Sequence, residues 1–152
     1  MLFDTHAHLD DERFDEDRDE LIRSLPEQGI SLCLNAGTEM STSREAIKLA
    51  EAYPFIYASV GVHPHVAQSM TEEDMLKLRE WSRHPKVKAI GEIGLDYYYD
   101  LSPRGIQREW FDRQMDLAFE EKLPVIIHDR DAHGDLLDML RARKNRMPQG
   151  VL

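Results

Sequence analysis

Two histidines near the amino terminus are spaced so that they could hold one metal ion. His6 and His8 lie at the end of a short apolar segment and are separated by one residue. On a β-strand, residues i and i+2 project from the same face, so both imidazoles would point the same way. Imidazole nitrogens are common ligands of divalent metals. The pair predicts the start of a metal site whose other ligands come from later in the chain.

Further candidates follow the carboxyl ends of later predicted strands. Five of the seven histidines share this position with two carboxylates and an arginine: His6, His8, His63, His65, Glu92, Asp96, His128 and Arg130. Three imidazoles and one carboxylate, from strands one, four and five, would make a metal site. A glutamate between two groups of histidines could bridge two ions about 3.5–4 Å apart, an arrangement suited to phosphate ester hydrolysis.

Each candidate also has a structural alternative. Glu92 could form a buried salt bridge, and His128 could be a hydrogen-bonded core residue. The segment His63-Pro64-His65 could simply cap the end of a strand. The three tyrosines at 97–99 favour packing or rim positions over contact with a substrate.

The elements that would position these side chains alternate between strand and helix. After the first strand, short apolar strands are predicted at Ile30–Asn35, Phe55–Val60, Val87–Ile93 and Val125–His128, and Val151 and Leu152 begin a sixth. Strands that are apolar throughout are typical of a parallel sheet covered on both faces. A doubly wound dinucleotide-binding sheet would have a glycine-rich turn after strand one, where this chain has His-Ala-His. The pattern therefore favours a TIM-type α/β barrel over an open sheet.

Local signals set the expected helix ends. Helices are predicted over Asp15 to about Leu25 and Asp135 to about Arg143. Thr42, with Glu45 three positions later, predicts a capping box. Thr71, with Asp74 three positions later, is expected to open another helix. Ser102 and Pro103 predict an N-cap followed by proline in the first turn.

The length limits how much of a barrel this chain can form. A closed eightfold barrel takes about 250 residues, whereas the chain has 152 and supplies about five of eight strand–helix units. Either the chain is a fragment of a longer protein or its sheet is open. We expect residues 1–152 to form one partial barrel domain, the N-terminal portion of a longer protein.

Composition restricts the class of protein. The net charge is −10, which argues against a general basic surface for nucleic acid but not against a local site where metal ions supply positive charge. No apolar segment approaches the roughly 20 residues of a membrane span, and no signal peptide is visible. Cys33 is the single cysteine and cannot form an internal disulfide. These features predict a cytoplasmic protein without membrane contact.

Four motifs in the right order resemble the signature segments of TatD-family metal-dependent hydrolases. They are Asp4–Asp10, Val60–His65, Gly91–Tyr97 and Ile126–Ala132. The family consists of cytoplasmic β/α barrels related to the amidohydrolases, and several members are deoxyribonucleases. It also uses a histidine after strand six and an aspartate after strand eight, positions beyond the units found here. Asp129 stands where many members carry serine.

The resemblance assigns expected roles to individual residues. It implies that His6 and His8 bind one ion, that His128 binds a second, and that Glu92 bridges the two as a catalytic residue. It implies that the substrate pocket is lined by His63, Asp96 and Arg130, with Arg130 suited to a phosphate.

The expected function is hydrolysis of phosphodiester bonds in DNA, with nucleotides removed from a 3′ end. Water activated by two divalent ions, which could be zinc, manganese or magnesium, would attack the phosphate. One alternative is an amide or ester hydrolase of the amidohydrolase superfamily. Another is an inactive truncated fragment whose open barrel edges self-associate.

Overall fold

The computed structural model describes residues 2–148 and Gly150, and it confirms the predicted alternation of strands and helices. The strands are β1 (Leu2–Ala7), β2 (Ile30–Ala36), β3 (Ile56–Val60), β4 (Val87–Asp96) and β5 (Val125–Arg130). The helices are α1 (Arg18–Ser24), α2 (Met40–Ala52), α3 (Glu72–Ser82), α4 (Arg104–Glu121) and α5 (His133–Arg143). Short 3₁₀ helices cover Glu12–Phe14, Pro64–Ser69 and Lys144–Arg146.

The order of the strands decides between the two parallel architectures. The five strands are all parallel and lie in the order β1-β2-β3-β4-β5. Because each strand pairs with its predecessor, every right-handed crossover advances in the same direction and places its helix on the same face. A doubly wound sheet reverses direction at its centre. The sheet is therefore a curled half-barrel, as predicted.

The main core lies between the sheet and the helices. Its fully buried side chains include Ile22 of α1, Leu78 of α3 and Phe111 and Met115 of α4. A smaller cluster contains Leu34 and other residues on the opposite face of the sheet, the face that a closed barrel encloses.

The helix start predicted at Thr71 is confirmed, and it forms a capping box. At the start of α3, Thr71 Oγ1 accepts a hydrogen bond from Asp74 N, and the Asp74 carboxylate accepts one from Thr71 N. The box predicted at Thr42 is wrong, because α2 begins at Met40 and Thr42 is its third residue. The Thr42 hydroxyl instead accepts hydrogen bonds from the backbone N–H groups of Thr38 and Glu39.

Ser102 does not cap α4 as predicted. The N-cap is Pro103, and the helix begins at Arg104. The buried Ser102 hydroxyl instead accepts from Gln68 N and donates to the carbonyl oxygen of His65. Ser102 therefore holds the segment after β3 against the start of α4.

Several boundaries differ from the predicted ones by a few residues. α1 is shorter than expected because residues 15–17 form turns and the helix begins at Arg18, and α5 begins at His133. β4 and β5 continue to Asp96 and Arg130, so both residues are part of the sheet. The sixth strand predicted at residues 151–152 lies outside the described residues. Among those described, no helix is both long and apolar enough to cross a membrane.

Candidate metal centre

The carboxyl ends of the strands bring the predicted metal ligands to one place. His6 and His8 come from the end of β1, Glu92 from β4 and His128 from β5. Three of them, His8, Glu92 and His128, line a cavity of about 430 Å³ together with His63 and His65. The spacing of the strands in the sheet thus converts four distant sequence positions into one cluster.

The first group of donor atoms has the spacing that one metal ion requires. His6 Nε2 lies 3.2 Å from His8 Nε2 and 3.2 Å from Glu92 Oε2. His8 Nε2 lies 3.6 Å from the same carboxylate oxygen. Two ligands of a tetrahedral ion with bonds of about 2.0–2.1 Å lie roughly 3.3 Å apart. These three side chains therefore fit a divalent metal in both chemistry and spacing.

The orientation of His8 is fixed by the backbone of β2. Its Nδ1 lies 3.0 Å from the carbonyl oxygen of Ala36. A carbonyl can only accept, so Nδ1 carries the proton and Nε2 keeps its lone pair. That lone pair faces His6 and Glu92, as a metal ligand requires.

A second group of imidazoles lies on the other side of Glu92. His63, His65 and His128 offer nitrogen atoms within 4.8 Å of one another. Glu92 Oε1 lies 3.2 Å from His128 Nδ1 and 3.9 Å from His63 Nε2. Each oxygen of the Glu92 carboxylate thus faces a different group of histidines, which is the arrangement of a bridging ligand.

The charge state of the cluster suits cation binding. Burial opposes ionisation of Glu92, but the hydrogen bond with His128 and the charge of His63 outweigh it and lower the pKa of the carboxyl to about 2. Burial, with the nearby charge of His128, lowers the pKa of His63 to about 4. At neutral pH the centre therefore offers an anionic carboxylate and a neutral imidazole at His63.

Asp96 lies behind the histidines instead of on the cavity wall where substrate contact was predicted. Its side chain is fully buried, and Oδ2 lies 2.7 Å from His65 Nε2 and 3.0 Å from His128 Nε2. Burial opposes ionisation, but the hydrogen bonds that Asp96 accepts lower the pKa of its carboxyl well below the usual range. This position suits an anion that orients metal-binding histidines.

Of the other two residues predicted to contact the substrate, one lines the cavity and one lies outside it. His63 lines the cavity, as expected, and is buried. Arg130 stands outside the cavity, with its guanidinium over the rings of Tyr98 and Tyr99. Direct contact of either residue with a substrate remains a prediction.

Sequence reasoning left His65 without a role in the site, because a His-Pro-His turn can serve as a cap. The cap exists, since His63 Nδ1 accepts a hydrogen bond from His65 N. The ring of His65 nevertheless reaches the centre, where it contacts Asp96. Thr38 and Glu39, from the loop after β2, also line the cavity, and nothing in their spacing along the chain pointed to it.

Two known proteins with sequences similar to this chain are named as a metal-dependent hydrolase and as an exonuclease. It is 44% identical over 152 residues to YabD of Bacillus subtilis (strain 168), named an uncharacterized metal-dependent hydrolase, and the match covers 100% of this chain and 60% of that protein. It is 35% identical over 152 residues to the 3′-5′ ssDNA/RNA exonuclease TatD of Musicola paradisiaca (strain Ech703), covering 99% and 58% respectively. The chain thus spans about 60% of the length of these relatives.

Solved structures agree with the sequence matches. The crystal structure of YjjV, a TatD homolog from Escherichia coli K12, matches with a TM-score of 0.85 at 31% identity, covering 93% of this chain and 55% of that one. A TatD family hydrolase from Entamoeba histolytica, at 24% identity and a TM-score of 0.83, shares the fold over 95% of this chain and 54% of that one. A family model described as TatD related DNase matches residues 3–152. The chain belongs to the TatD-related DNase family.

Proposed function

We propose that this chain forms the metal-binding half of a divalent-metal-dependent hydrolase that cleaves phosphodiester bonds in DNA from the 3′ end. The observation that carries the proposal is the position of the Glu92 carboxylate between two groups of histidines. A shared carboxylate flanked by imidazoles is the ligand set expected of a two-metal hydrolase. The name of the Musicola relative, a 3′-5′ ssDNA/RNA exonuclease, supports the choice of bond and direction.

In the proposed centre, His6, His8 and Glu92 would hold one ion, and His128 with Glu92 would hold the second. The imidazole-rich donor set favours zinc over magnesium, which prefers oxygen ligands, and the Glu92 carboxylate also suits manganese. When bound, such ions supply a water nucleophile near neutral pH and stabilise negative charge on a phosphate.

The protein side chains would prepare and hold this centre. The ionised Glu92 carboxylate would attract both cations. Asp96 accepts hydrogen bonds from His65 and His128 and so restrains their rings. The Ala36 carbonyl does the same for His8. Because these contacts exist before any ligand binds, little reorganisation is needed when cations and substrate arrive.

The cavity has no lysine or arginine among its described lining residues. Together with the net charge of −10, this means that the ions themselves must neutralise a phosphate at the centre. We therefore expect DNA binding at the cavity to require the divalent metal. The same observation favours a second candidate, hydrolysis of an uncharged amide or ester, which needs no basic pocket.

The open edge of β1 supports a proposal about association. Within the described residues β1 pairs only with β2, and Leu2 and Phe3 on this strand are exposed. Unpaired strand edges favour pairing with another chain. We propose that the isolated chain self-associates through this edge. In sedimentation velocity experiments, its sedimentation coefficient should then rise as the protein concentration is increased.

The nuclease proposal is tested with single-stranded DNA labelled at either end. Protein loaded with manganese or zinc should shorten 5′-labelled strands progressively and release the label from 3′-labelled strands as mononucleotide. His128→Ala should abolish this activity, whereas His84→Ala should not, since His84 contacts Glu51 on the helical side of the molecule. Metal-loaded protein that leaves DNA intact but hydrolyses small amides or esters would favour the second candidate.

A further inference from the structure

Two tyrosines after β4 expose aromatic rings next to the candidate centre. Tyr98 is 59% exposed and Tyr99 is 52% exposed. Their ring centroids lie 4.9 Å apart, and the rings are nearly perpendicular. Tyr97 differs from both, because its hydroxyl donates a hydrogen bond to Asp135 and its ring is half-buried. Packing accounts for Tyr97, but it does not account for the exposure of the other two rings.

Arg130 adds a planar cation to this pair. Its guanidinium carbon lies 4.1 Å from the centroid of the Tyr98 ring and 4.6 Å from that of Tyr99. Within the described part of the chain, no carboxylate forms a salt bridge with it. The nearby Arg104, by contrast, is paired with Asp100. The charge of Arg130 is therefore available to an anion from outside the protein.

The Asp96 carboxylate links the backbone of the two tyrosines to the histidines of the centre. Oδ1 of the buried Asp96 accepts hydrogen bonds from the N–H groups of Tyr98 and Tyr99, at 3.1 and 2.8 Å. Oδ2 of the same carboxylate contacts His65 and His128. The Tyr99 ring also packs edge to face on His65, with centroids 5.4 Å apart. One carboxylate thus fixes the tyrosine pair at the lip of the cavity.

We infer that Tyr98, Tyr99 and Arg130 form a stacking platform for an unpaired nucleobase, with Arg130 also contacting a neighbouring phosphate. The inference rests on the proposed function and adds the residues that select single strands. Aromatic rings and guanidinium planes stack on any base, so the platform is tolerant of sequence. Bases in a duplex are already paired and stacked, and they reach such a platform only after the strands separate.

The test compares two fluorescein-labelled oligonucleotides of equal length and charge. One carries thymine at every position and the other is abasic, and both have phosphorothioate linkages to slow cleavage. Fluorescence anisotropy in the presence of manganese measures their affinities for the wild-type protein and for Tyr98→Leu, Tyr99→Leu, Tyr98→Phe and Tyr99→Phe. Tyr53→Leu, at the end of α2, is the control for loss of a tyrosine elsewhere.

The wild-type protein should bind the thymine oligonucleotide about tenfold or more tightly than the abasic one. Each leucine variant should lose most of that difference, whereas the phenylalanine variants and Tyr53→Leu should retain it. Arg130→Gln should weaken binding of both oligonucleotides, since a phosphate contact does not depend on the base.

Equal affinity of the wild-type protein for the two oligonucleotides would overturn the platform but leave the proposed nuclease intact. The platform would also be overturned if the leucine variants bound the thymine oligonucleotide with the affinity of the wild-type protein. Failure to bind either oligonucleotide in the presence of manganese would contradict the proposed function as well. Circular dichroism and metal content of each variant show whether a loss of binding reflects a change in fold or in the centre.

Discussion

The Glu92 carboxylate reaches His128 across neighbouring strands, with Oε1 of the one lying 3.2 Å from Nδ1 of the other. The second oxygen of the carboxylate faces away from His128, towards His6 and His8. One side chain of β4 therefore contacts histidines delivered by both β1 and β5. Removing any single histidine should weaken cation binding without disturbing the sheet that carries the others.

We predict that His6→Ala weakens zinc or manganese binding at least about tenfold, since loss of one imidazole leaves two donors in the first group. Isothermal titration of the metal into each protein measures the effect. The matched control is His84→Ala, which removes a histidine that contacts Glu51 and lies outside the centre. Unchanged metal affinity in His6→Ala would show that His6 is not a ligand.

Gly94 allows β4 and β5 to approach each other beside the centre. Its φ is +147°, and a Cβ built there would lie only 2.0 Å from the carbonyl oxygen of His128. Gly94→Ala should therefore push the strands apart, lower the free energy of unfolding by about 1–3 kcal/mol or more, and weaken metal binding. Urea denaturation and metal titration measure the two effects.

The control for this change is Gly105→Ala in α4, where the added methyl meets nothing within 4 Å. Alanine is the better helix former, so this variant should be as stable as the wild-type protein or up to about 1 kcal/mol more stable. If Gly94→Ala behaved like Gly105→Ala, the close approach of the two strands would not be needed for stability.

Cys33 should be unreactive in the folded protein. Burial raises the pKa of its thiol to about 12, and the negative charge of Asp4 adds to the shift. Because the thiolate is the reactive form and folding disfavours it, the thiol should stay protonated at pH 8. Ellman's reagent should then detect no thiol in native protein and one per chain in guanidinium chloride. Rapid reaction of the native protein would contradict the buried position of Cys33.

Much of the site could be predicted because parallel strands end at one edge of a sheet. Apolar segments followed by histidine or an acidic residue were enough to place His6, His8, Glu92 and His128 together. The lack of a glycine-rich turn after β1 favoured a barrel over a doubly wound sheet, and the observed strand order confirms the barrel arrangement. The helix start at Thr71 was also predictable, since Thr71 and Asp74, which cap it, lie only three residues apart.

The features that sequence reasoning missed depend on contacts between distant residues. Ser102 has the chemistry of a helix cap, but its hydroxyl bonds to residues 34 and 37 positions away. Asp96 and Arg130 end strands that run further than predicted, and only the packing of neighbouring side chains decides that one is buried and the other stacks on tyrosine. Periodicity carries no information about such contacts.

The most direct test of the account is the metal content per chain of wild-type protein and of Glu92→Gln, measured by plasma mass spectrometry after dialysis with manganese or zinc. Glutamine keeps the shape of the side chain but removes its charge, so it cannot bridge two cations as a carboxylate does. We predict two ions per wild-type chain and at most one in the variant. Equal metal content in the two proteins, or none in the wild-type chain, would contradict a centre built around Glu92.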